Sequence, residues 1–283
     1  MKRSARLAVL ALGAVVVAGL LSPLRERFLG RKRLRFPYLS RPIAAATYDA
    51  LAAKPGWSKA QVEVAPGVKL NGLLRRPTAP TAPWVLFYPG NDESQLDRGQ
   101  AFLTRLGDAR DWGLAVFAYR GYDSSGGKSE LASMSADAPK ILALLCESQA
   151  SVPAARVHVV GFSIGGHMAT HAVRGESLAG RRPASLTLMA SVNDIVMVQP
   201  SPWAKFSLGE DYQTSPLLRD VPAPVLVLQG SADSAFGGPQ QGRDIAAALG
   251  PKAQYHELPG VDHVPLLADE KALQLVRDFI SAH

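Results

Sequence analysis

The sequence predicts an α/β fold with a mostly parallel, eight-stranded sheet and helices on both faces. Short apolar, β-branched runs alternate with amphipathic helical patterns along most of the chain. A Gly-x-Ser-x-Gly turn joins one of these strands to a helix at residues 161–165. With 283 residues, of which 47% are hydrophobic and 19% charged, the chain is long enough for one well-buried domain. In such a sheet, functional residues are expected at the carboxyl ends of the strands.

The elements follow one another in a regular order. Residues 61–64 and 68–74 alternate between apolar and polar side chains around a Pro-Gly turn, which predicts an antiparallel hairpin. Later strands are predicted at 84–88, 114–119, 157–162, 185–189, 225–229 and 253–258. Helices are predicted at 92–108, 133–149, 164–174, 240–249 and 266–282.

The segment between residues 192 and 224 leaves room for only a small excursion from the sheet, at most a small lid. Its apolar side chains either line a pocket beneath such a lid or pack against the core: Val196, Met197, Val198, Trp203 and Phe206.

The Gly-Phe-Ser-Ile-Gly motif has the context of a nucleophile elbow. Ser163 falls on the sharp strand-to-helix turn, and the flanking glycines let the backbone crowd there without a Cβ clash. Such a turn holds the hydroxyl where a base and a substrate carbonyl can both reach it. Ser163 is therefore the predicted nucleophile.

A serine nucleophile needs a general base, and the base needs an orienting acid. Asp233 comes four residues after the strand at 225–229, and His263 follows a Pro-Gly turn after the strand at 253–258. The order Ser, Asp, His is that of the elbow-bearing hydrolases. Asp194, after the preceding strand, is the alternative acid. Asp262 is adjacent to His263, and we interpret it as a turn residue.

The reaction also needs an oxyanion hole, formed by the N–H after the nucleophile and one from the loop after the third strand. Ile164 supplies the first N–H. In the loop at 89–92, Pro89 has no N–H to donate, so the second donor is Gly90 or Asn91. We favour Asn91.

Five motifs in this order resemble the α/β-hydrolase superfamily, and within it most closely the BEM46-like group, which is related to the serine-aminopeptidase-like hydrolases. They are Phe-Tyr-Pro-Gly-Asn at 87–91, Tyr-Arg-Gly-Tyr at 119–122, Gly-Phe-Ser-Ile-Gly-Gly at 161–166, Gln-Gly-Ser-Ala-Asp at 229–233 and Pro-Gly-Val-Asp-His at 259–263. The resemblance covers about residues 60–282 and implies the α/β-hydrolase fold. We expect Gly90, Tyr122 and Phe162 to contact the substrate.

The chain departs from that group's pattern at two positions. Pro89 stands where the group has His, and Asp123 stands where it has Gly. Both are expected beside the acyl pocket, so they bear on the substrate class and leave the triad unaffected.

The basic charge of the chain is concentrated at its beginning. Nine basic residues and one acidic residue give residues 1–35 a net charge of +8, which leaves −1 for the rest and argues against a nucleic-acid-binding body. Residues 7–24 are uncharged and, as a helix, would span about 27 Å. They predict an N-terminal membrane anchor, with a signal peptide as the alternative. The basic residues after this stretch favour a cytoplasmic domain over a periplasmic or secreted one.

The predicted organisation is an anchor at 1–35, a connecting segment at 36–59 and a catalytic domain at 60–283. The predicted function is a serine hydrolase of carboxylic esters or thioesters, with a small-molecule or lipid-like acyl ester as substrate. Alternatives are an aminopeptidase-type amide hydrolase and a non-catalytic binding domain. The chemistry requires no cofactor. His167 and His171 have the i, i+4 spacing of metal ligands, but no third ligand accompanies them, so no metal site is predicted.

Overall fold

The structure, a computed structural model, describes residues 42–174, 182–195 and 213–283. These residues build one eight-stranded sheet with the strand order β1-β2-β4-β3-β5-β6-β7-β8. The strands are β1 (Trp57–Ala65), β2 (Val68–Arg75), β3 (Trp84–Tyr88), β4 (Gly113–Phe117), β5 (Val157–Phe162), β6 (Ser185–Met189), β7 (Val225–Gly230) and β8 (Ala253–Leu258).

Strand direction follows the sequence prediction. The strands β1 and β2 form an antiparallel hairpin, and β2 pairs antiparallel with β4. From β4 to β8 every neighbouring pair is parallel. The predicted mostly parallel, eight-stranded sheet is confirmed.

Helices cover both faces of this sheet. They are α1 (Ala45–Ala52), α2 (Gln95–Leu106), α3 (Leu131–Leu144), α4 (Ile164–Val173), α5 (Thr214–Leu217), α6 (Gln240–Leu249) and α7 (Glu270–Ala282). One group consists of α2 and α7, which contact each other, and the other of α3, α4, α5 and α6, which contact one another in sequence. Every residue of β3 to β7 is buried, as expected for strands covered on both faces.

The order of the strands locates a crevice. After β3 the chain moves outward to β4, and it then returns to place β5 on the other side of β3. Ligands bind at such a reversal, outside the carboxyl ends of the strands. The loop after β3 and the turn after β5 therefore face each other there.

Two helices begin later than the sequence predicts. The helix α2 begins at Gln95 instead of residue 92, because Ser94 caps it by accepting a hydrogen bond from the Asp97 N–H (3.3 Å). The terminal helix α7 begins at Glu270, capped by Asp269, and a single 3-10 turn, Pro265–Ala268, precedes it. Both differences lengthen loops at the crevice.

The predicted membrane anchor is wrong. In the described ranges no helix combines the length and the apolar character that crossing a bilayer requires. The longest helical run there is α3 with its π-helical extension Leu145–Gln149, and it contains Asp137, Lys140 and Glu147, which are costly in a bilayer. Residues 7–24, on which the prediction rested, lie outside the described residues. The localisation as a membrane-anchored protein with a cytoplasmic domain is withdrawn with the anchor.

Candidate active site

Ser163 occupies a strained turn between β5 and α4. Its backbone has φ +56° and ψ −123°, a region that non-glycine residues rarely adopt. Three backbone hydrogen bonds hold it there. The Ser163 N–H donates to the Met189 carbonyl (3.0 Å), and its carbonyl accepts from the N–H groups of Gly166 (3.1 Å) and Val192 (3.2 Å). This is the sharp strand-to-helix turn that the sequence predicts, and residues 161–165 are called the elbow below.

The glycines of the motif allow the elbow to pack against its neighbours. A Cβ at Gly165 would lie 2.0 Å from the Tyr88 carbonyl oxygen at the end of β3, and one at Gly161 would lie 2.5 Å from the Gly165 carbonyl oxygen. Neither contact is possible for a larger residue without backbone movement. Gly165 is therefore required by the turn's close approach to β3, and Gly161 by the close packing of the end of β5 against the start of α4.

His263 and Asp233 meet above the ends of β7 and β8. The His263 Nδ1 lies 2.9 Å from the Asp233 Oδ2. The same oxygen accepts from Gln229 Nε2 (2.7 Å), and Oδ1 accepts from the Ala235 N–H (2.9 Å). The carboxylate is thus buried and held from three sides. Asp194, the alternative acid, lies instead in an isolated bridge with Gln213.

The His263 ring is enclosed by two aromatic rings, and its backbone is fixed by its neighbour. Phe162 and Phe236 have ring centroids 4.9 and 5.8 Å from that of His263. The Asp262 Oδ1 accepts from the N–H groups of His263 (2.7 Å) and Ser234 (3.0 Å). These donors hold the pKa of Asp262 below its usual value, as expected for a carboxylate engaged by a turn.

The loop after β3 lies directly against the elbow. A Cβ at Gly90 would be 3.0 Å from the Phe162 ring and 3.3 Å from the Ser163 Cβ. The next side chain, Asn91, accepts a hydrogen bond through Oδ1 from the Tyr122 hydroxyl (2.6 Å). Burial raises the pKa of Tyr122 above its usual value, so this hydroxyl stays a donor at neutral pH.

Gln95 is a residue that the sequence reasoning missed. It is fully buried; its Nε2 donates to the Gly90 carbonyl (2.9 Å) and its Oε1 accepts from the Tyr119 N–H (2.9 Å). One side chain thus joins the loop after β3 to the loop after β4. It belongs to no motif, and no signal in the sequence distinguishes it from other polar residues at a helix start.

Ser163 and His263 both line a cleft of about 520 Å³, a size that suits a small-molecule site. Asn91 and Phe162 line it as well, while Gly90 and Tyr122 are not among its described lining residues. The described residues of the lining are Asn91, Asp92, Glu93, Arg98, Phe162, Ser163, Ser234, Ala235, Phe236, Asp262, His263, Val264 and Pro265.

Comparison with known sequences gives relatives but no family. No family model matches the chain. Two uncharacterized proteins of Mycobacterium tuberculosis, from strains CDC 1551 and H37Rv, are each 29% identical over 291 residues, which cover 99% of this chain and 97% of theirs.

Solved structures also match the fold of this chain. An alpha-beta hydrolase from Vibrio vulnificus superposes with a TM-score of 0.70 at 19% identity, over 92% of this chain and 94% of the other. A thermophilic esterase from Thermogutta terrifontis, solved with propionate bound, gives 0.64 at 18% identity, over 81% and 94%. The chain has the α/β-hydrolase fold.

Within the α/β-hydrolase fold, one of the two departures from the BEM46-like sequence pattern has a structural explanation. Asp123 is buried with φ +43°, and its Oδ2 accepts from the Leu96 N–H (2.7 Å) in the first turn of α2. Its carboxylate thus contributes to the start of a helix and is absent from the described cleft lining. Burial raises the pKa of Asp123, and hydrogen bonds from the Leu96 N–H, Ser94 and the Gln95 N–H oppose that rise.

The other departure, Pro89, also has a defined contact. Its carbonyl accepts from the buried Tyr119 hydroxyl (2.9 Å), which ties this end of β3 to the loop after β4.

The histidine pair on α4 lies behind the elbow. His167 Nε2 and His171 Nε2 are 3.2 Å apart, and His167 Nδ1 is 3.2 Å from Thr214 Oγ1. Burial holds the pKa of His167 well below its usual value, so the ring is neutral. Across the described ranges, no group of three or more His, Cys, Asp or Glu side chains is arranged to hold a metal ion.

Proposed function

We propose that this protein is a serine hydrolase that cleaves carboxylic esters or thioesters through a Ser163–Asp233–His263 triad. The observation that carries the proposal is the His263–Asp233 pair, 2.9 Å apart, beside a cleft that Ser163 also lines. The five motifs favour membership of the BEM46-like group.

His263 is the proposed general base. Asp233 accepts the Nδ1 proton, which leaves the Nε2 lone pair free to take the Ser163 hydroxyl proton as the oxygen attacks the carbonyl. The imidazolium that forms is stabilised by the Asp233 carboxylate. Gln229 and the Ala235 N–H keep that carboxylate in place.

The tetrahedral oxyanion is assigned to the N–H groups of Ile164 and Asn91. Ile164 begins α4, where the helix N-terminus favours negative charge. Asn91 is held against the elbow through Tyr122 and through Gln95, which binds the neighbouring Gly90 carbonyl. One such donor contributes about 3–4 kcal/mol of transition-state stabilisation.

The reaction proceeds in two halves. Collapse of the first intermediate expels the alcohol or thiol, which takes the proton from His263, and leaves an acyl-enzyme on Ser163. His263 then activates a water molecule that releases the acid. Both halves use the protein's own side chains, and no cofactor enters. The propionate bound in the Thermogutta esterase supports a short acyl group as a reasonable first substrate.

A fluorophosphonate probe tests the nucleophile. Wild type is expected to be labelled covalently and Ser163→Ala to be unlabelled, with ester hydrolysis lost in parallel. Ser234→Ala, the other serine in the described cleft lining, is the matched control and should retain labelling. Equal labelling of wild type and Ser163→Ala would rule out the assignment.

A further inference from the structure

Asp92 is a carboxylate of the cleft wall that the proposed triad does not use. Asp92 follows the proposed oxyanion donor Asn91 in the chain and lines the same cleft as Ser163 and His263. Only a small fraction of its side chain, 11%, is exposed.

The two oxygens of this carboxylate have different surroundings. The Oδ1 lies 2.7 Å from Arg98 Nε and forms an ion pair with it. The Oδ2 is buried and has no hydrogen-bond partner. Within the described part of the chain it is the one buried carboxylate oxygen in this condition. A buried acceptor without a donor is rare in proteins and calls for an explanation.

Asp92 borders the cleft in which the proposed reaction takes place. Burial raises the pKa of Asp92, while the positive charges of Arg98 and of protonated His263 lower it. Asp92, Ser163 and His263 line one cleft. A substrate that reacts at Ser163 therefore occupies the cleft that the Asp92 carboxylate borders.

We propose that Asp92 Oδ2 accepts a hydrogen bond from a hydroxyl group of the substrate, so that the preferred substrates are hydroxylated acyl esters or thioesters. The inference rests on the proposed function and adds its substrate class. Arg98 already offsets the carboxylate's charge, and a hydroxyl satisfies the free oxygen without adding another charge. A substrate ammonium would place a second cation beside Arg98, which is less favourable.

A subsite of this kind discriminates strongly between substrates that carry the hydroxyl group and analogues that lack it. A substrate without the hydroxyl leaves the buried oxygen unpaired, whereas a purely apolar pocket distinguishes such analogues only weakly. The expected preference is at least about tenfold in kcat/KM.

The test uses p-nitrophenyl butyrate and its 2-, 3- and 4-hydroxy and methoxy derivatives on the full chain. The methoxy compounds keep the oxygen and lose the donor. Wild type is expected to prefer one hydroxy ester to its methoxy partner by about tenfold or more. In Asp92→Asn the amide oxygen would face Arg98 and the NH₂ group would replace Oδ2, so the preference should disappear.

Asp97→Asn is the matched control. Asp97 is an exposed carboxylate in the first turn of α2 and is absent from the described cleft lining, so this variant should keep the wild-type preference. Loss of the preference in Asp97→Asn as well, or no preferred hydroxyl position in wild type, would overturn the inference.

Failure of the subsite and failure of the proposed function give different results. If Ser163→Ala abolishes hydrolysis but wild type ignores the hydroxyl, only the subsite is wrong. If Ser163 is not the nucleophile, calorimetric binding of hydroxybutyramides and methoxybutyramides to wild type and Asp92→Asn still measures the subsite. Tenfold tighter binding of one hydroxyamide to wild type alone supports it, and equal binding refutes it.

Discussion

The Tyr122 hydroxyl donates a hydrogen bond of 2.6 Å to the Asn91 side-chain oxygen, and so connects the loop after β4 to the loop after β3. Tyr122 is buried, and its ring packs edge-to-face against Tyr119, whose hydroxyl binds the Pro89 carbonyl (2.9 Å). Two tyrosines therefore fix the segment that is proposed to hold the oxyanion. Their effect on the reaction is indirect and acts through the position of the Asn91 N–H.

Tyr122→Phe should reduce kcat by about tenfold and leave KM nearly unchanged, because the lost bond positions a donor that acts in the transition state. The unfolding free energy should fall by about 1–3 kcal/mol, since Asn91 Oδ1 loses its donor. Steady-state ester kinetics and urea unfolding measure both. Tyr255→Phe, which removes a hydroxyl bound to Glu257 at the sheet edge, is the control and should keep the wild-type kcat. An unchanged kcat in Tyr122→Phe would show that this bond does not position the loop.

Asp233→Asn should lower kcat by about 10³- to 10⁴-fold with little effect on folding. The amide NH₂ would face His263 Nδ1 and favour the tautomer that cannot accept the Ser163 proton. Single-turnover and steady-state measurements with one ester give the loss.

Asp262→Asn provides the comparison for Asp233→Asn. Its amide oxygen can still accept from the N–H groups of Ser234 and His263, so a loss of less than about tenfold is expected. Similar losses in the two variants would contradict Asp233 as the acid of the triad.

Gly165→Ala should destabilise the protein by about 2 kcal/mol or more. Alanine is favoured over glycine in a helix by about 1 kcal/mol, but the new Cβ would lie 2.0 Å from the Tyr88 carbonyl oxygen, and backbone there cannot move cheaply. Gly126→Ala is the control, because its Cβ would meet nothing closer than 3.4 Å and its φ is not positive. Urea unfolding of both variants measures the difference. Equal stability would mean that the elbow is less tightly packed against β3 than the distances indicate.

Most of the sheet was predictable from local sequence. The strands β3 to β7 are apolar runs with every residue buried, and the alternating pattern around the Pro-Gly turn correctly predicted the hairpin β1–β2. The order of Ser163, Asp233 and His263 was also readable, because each follows a recognisable strand. Their roles in catalysis remain a proposal.

Features that depend on distant residues were not predictable. The helix α2 begins at Gln95 because Ser94 caps it and because Asp123, 27 residues further along the chain, accepts from the Leu96 N–H. Because α2 begins only at Gln95, the residues before it stay in a loop, and Asp92 in that loop lines the cleft. The sequence of one helix does not show that a carboxylate from a distant loop will accept a hydrogen bond from its first turn. The membrane prediction was wrong as well: it rested on residues 7–24 and their basic flanks, which lie outside the described residues, and no helix in the described ranges is long and apolar enough to cross a bilayer.

The Arg243–Glu257 pair should make stability depend on pH in acid. Two bonds of 2.9 and 2.7 Å join the guanidinium to the carboxylate, and with the Tyr255 hydroxyl they lower the pKa of Glu257 from its usual 4.5 to about 2. A group whose pKa is depressed by folding stabilises the protein above its unfolded pKa and loses that contribution as the pH falls through the folded value. The contribution is therefore complete above about pH 5 and disappears towards pH 2.

Glu257→Gln tests this dependence of stability on pH. The pair is partly exposed, so solvent screening limits the expected difference in unfolding free energy to about 1 kcal/mol or less at pH 6, and the difference should vanish near pH 2. Arg243→Gln should remove the same pH dependence, and the double variant should be no less stable than either single variant, since both remove one interaction. Urea unfolding at pH 6, 4 and 2 measures the difference in unfolding free energy between wild type and each variant. A wild-type advantage that persists unchanged at pH 2 would show that Glu257 stabilises the edge of β8 through packing and not through its charge.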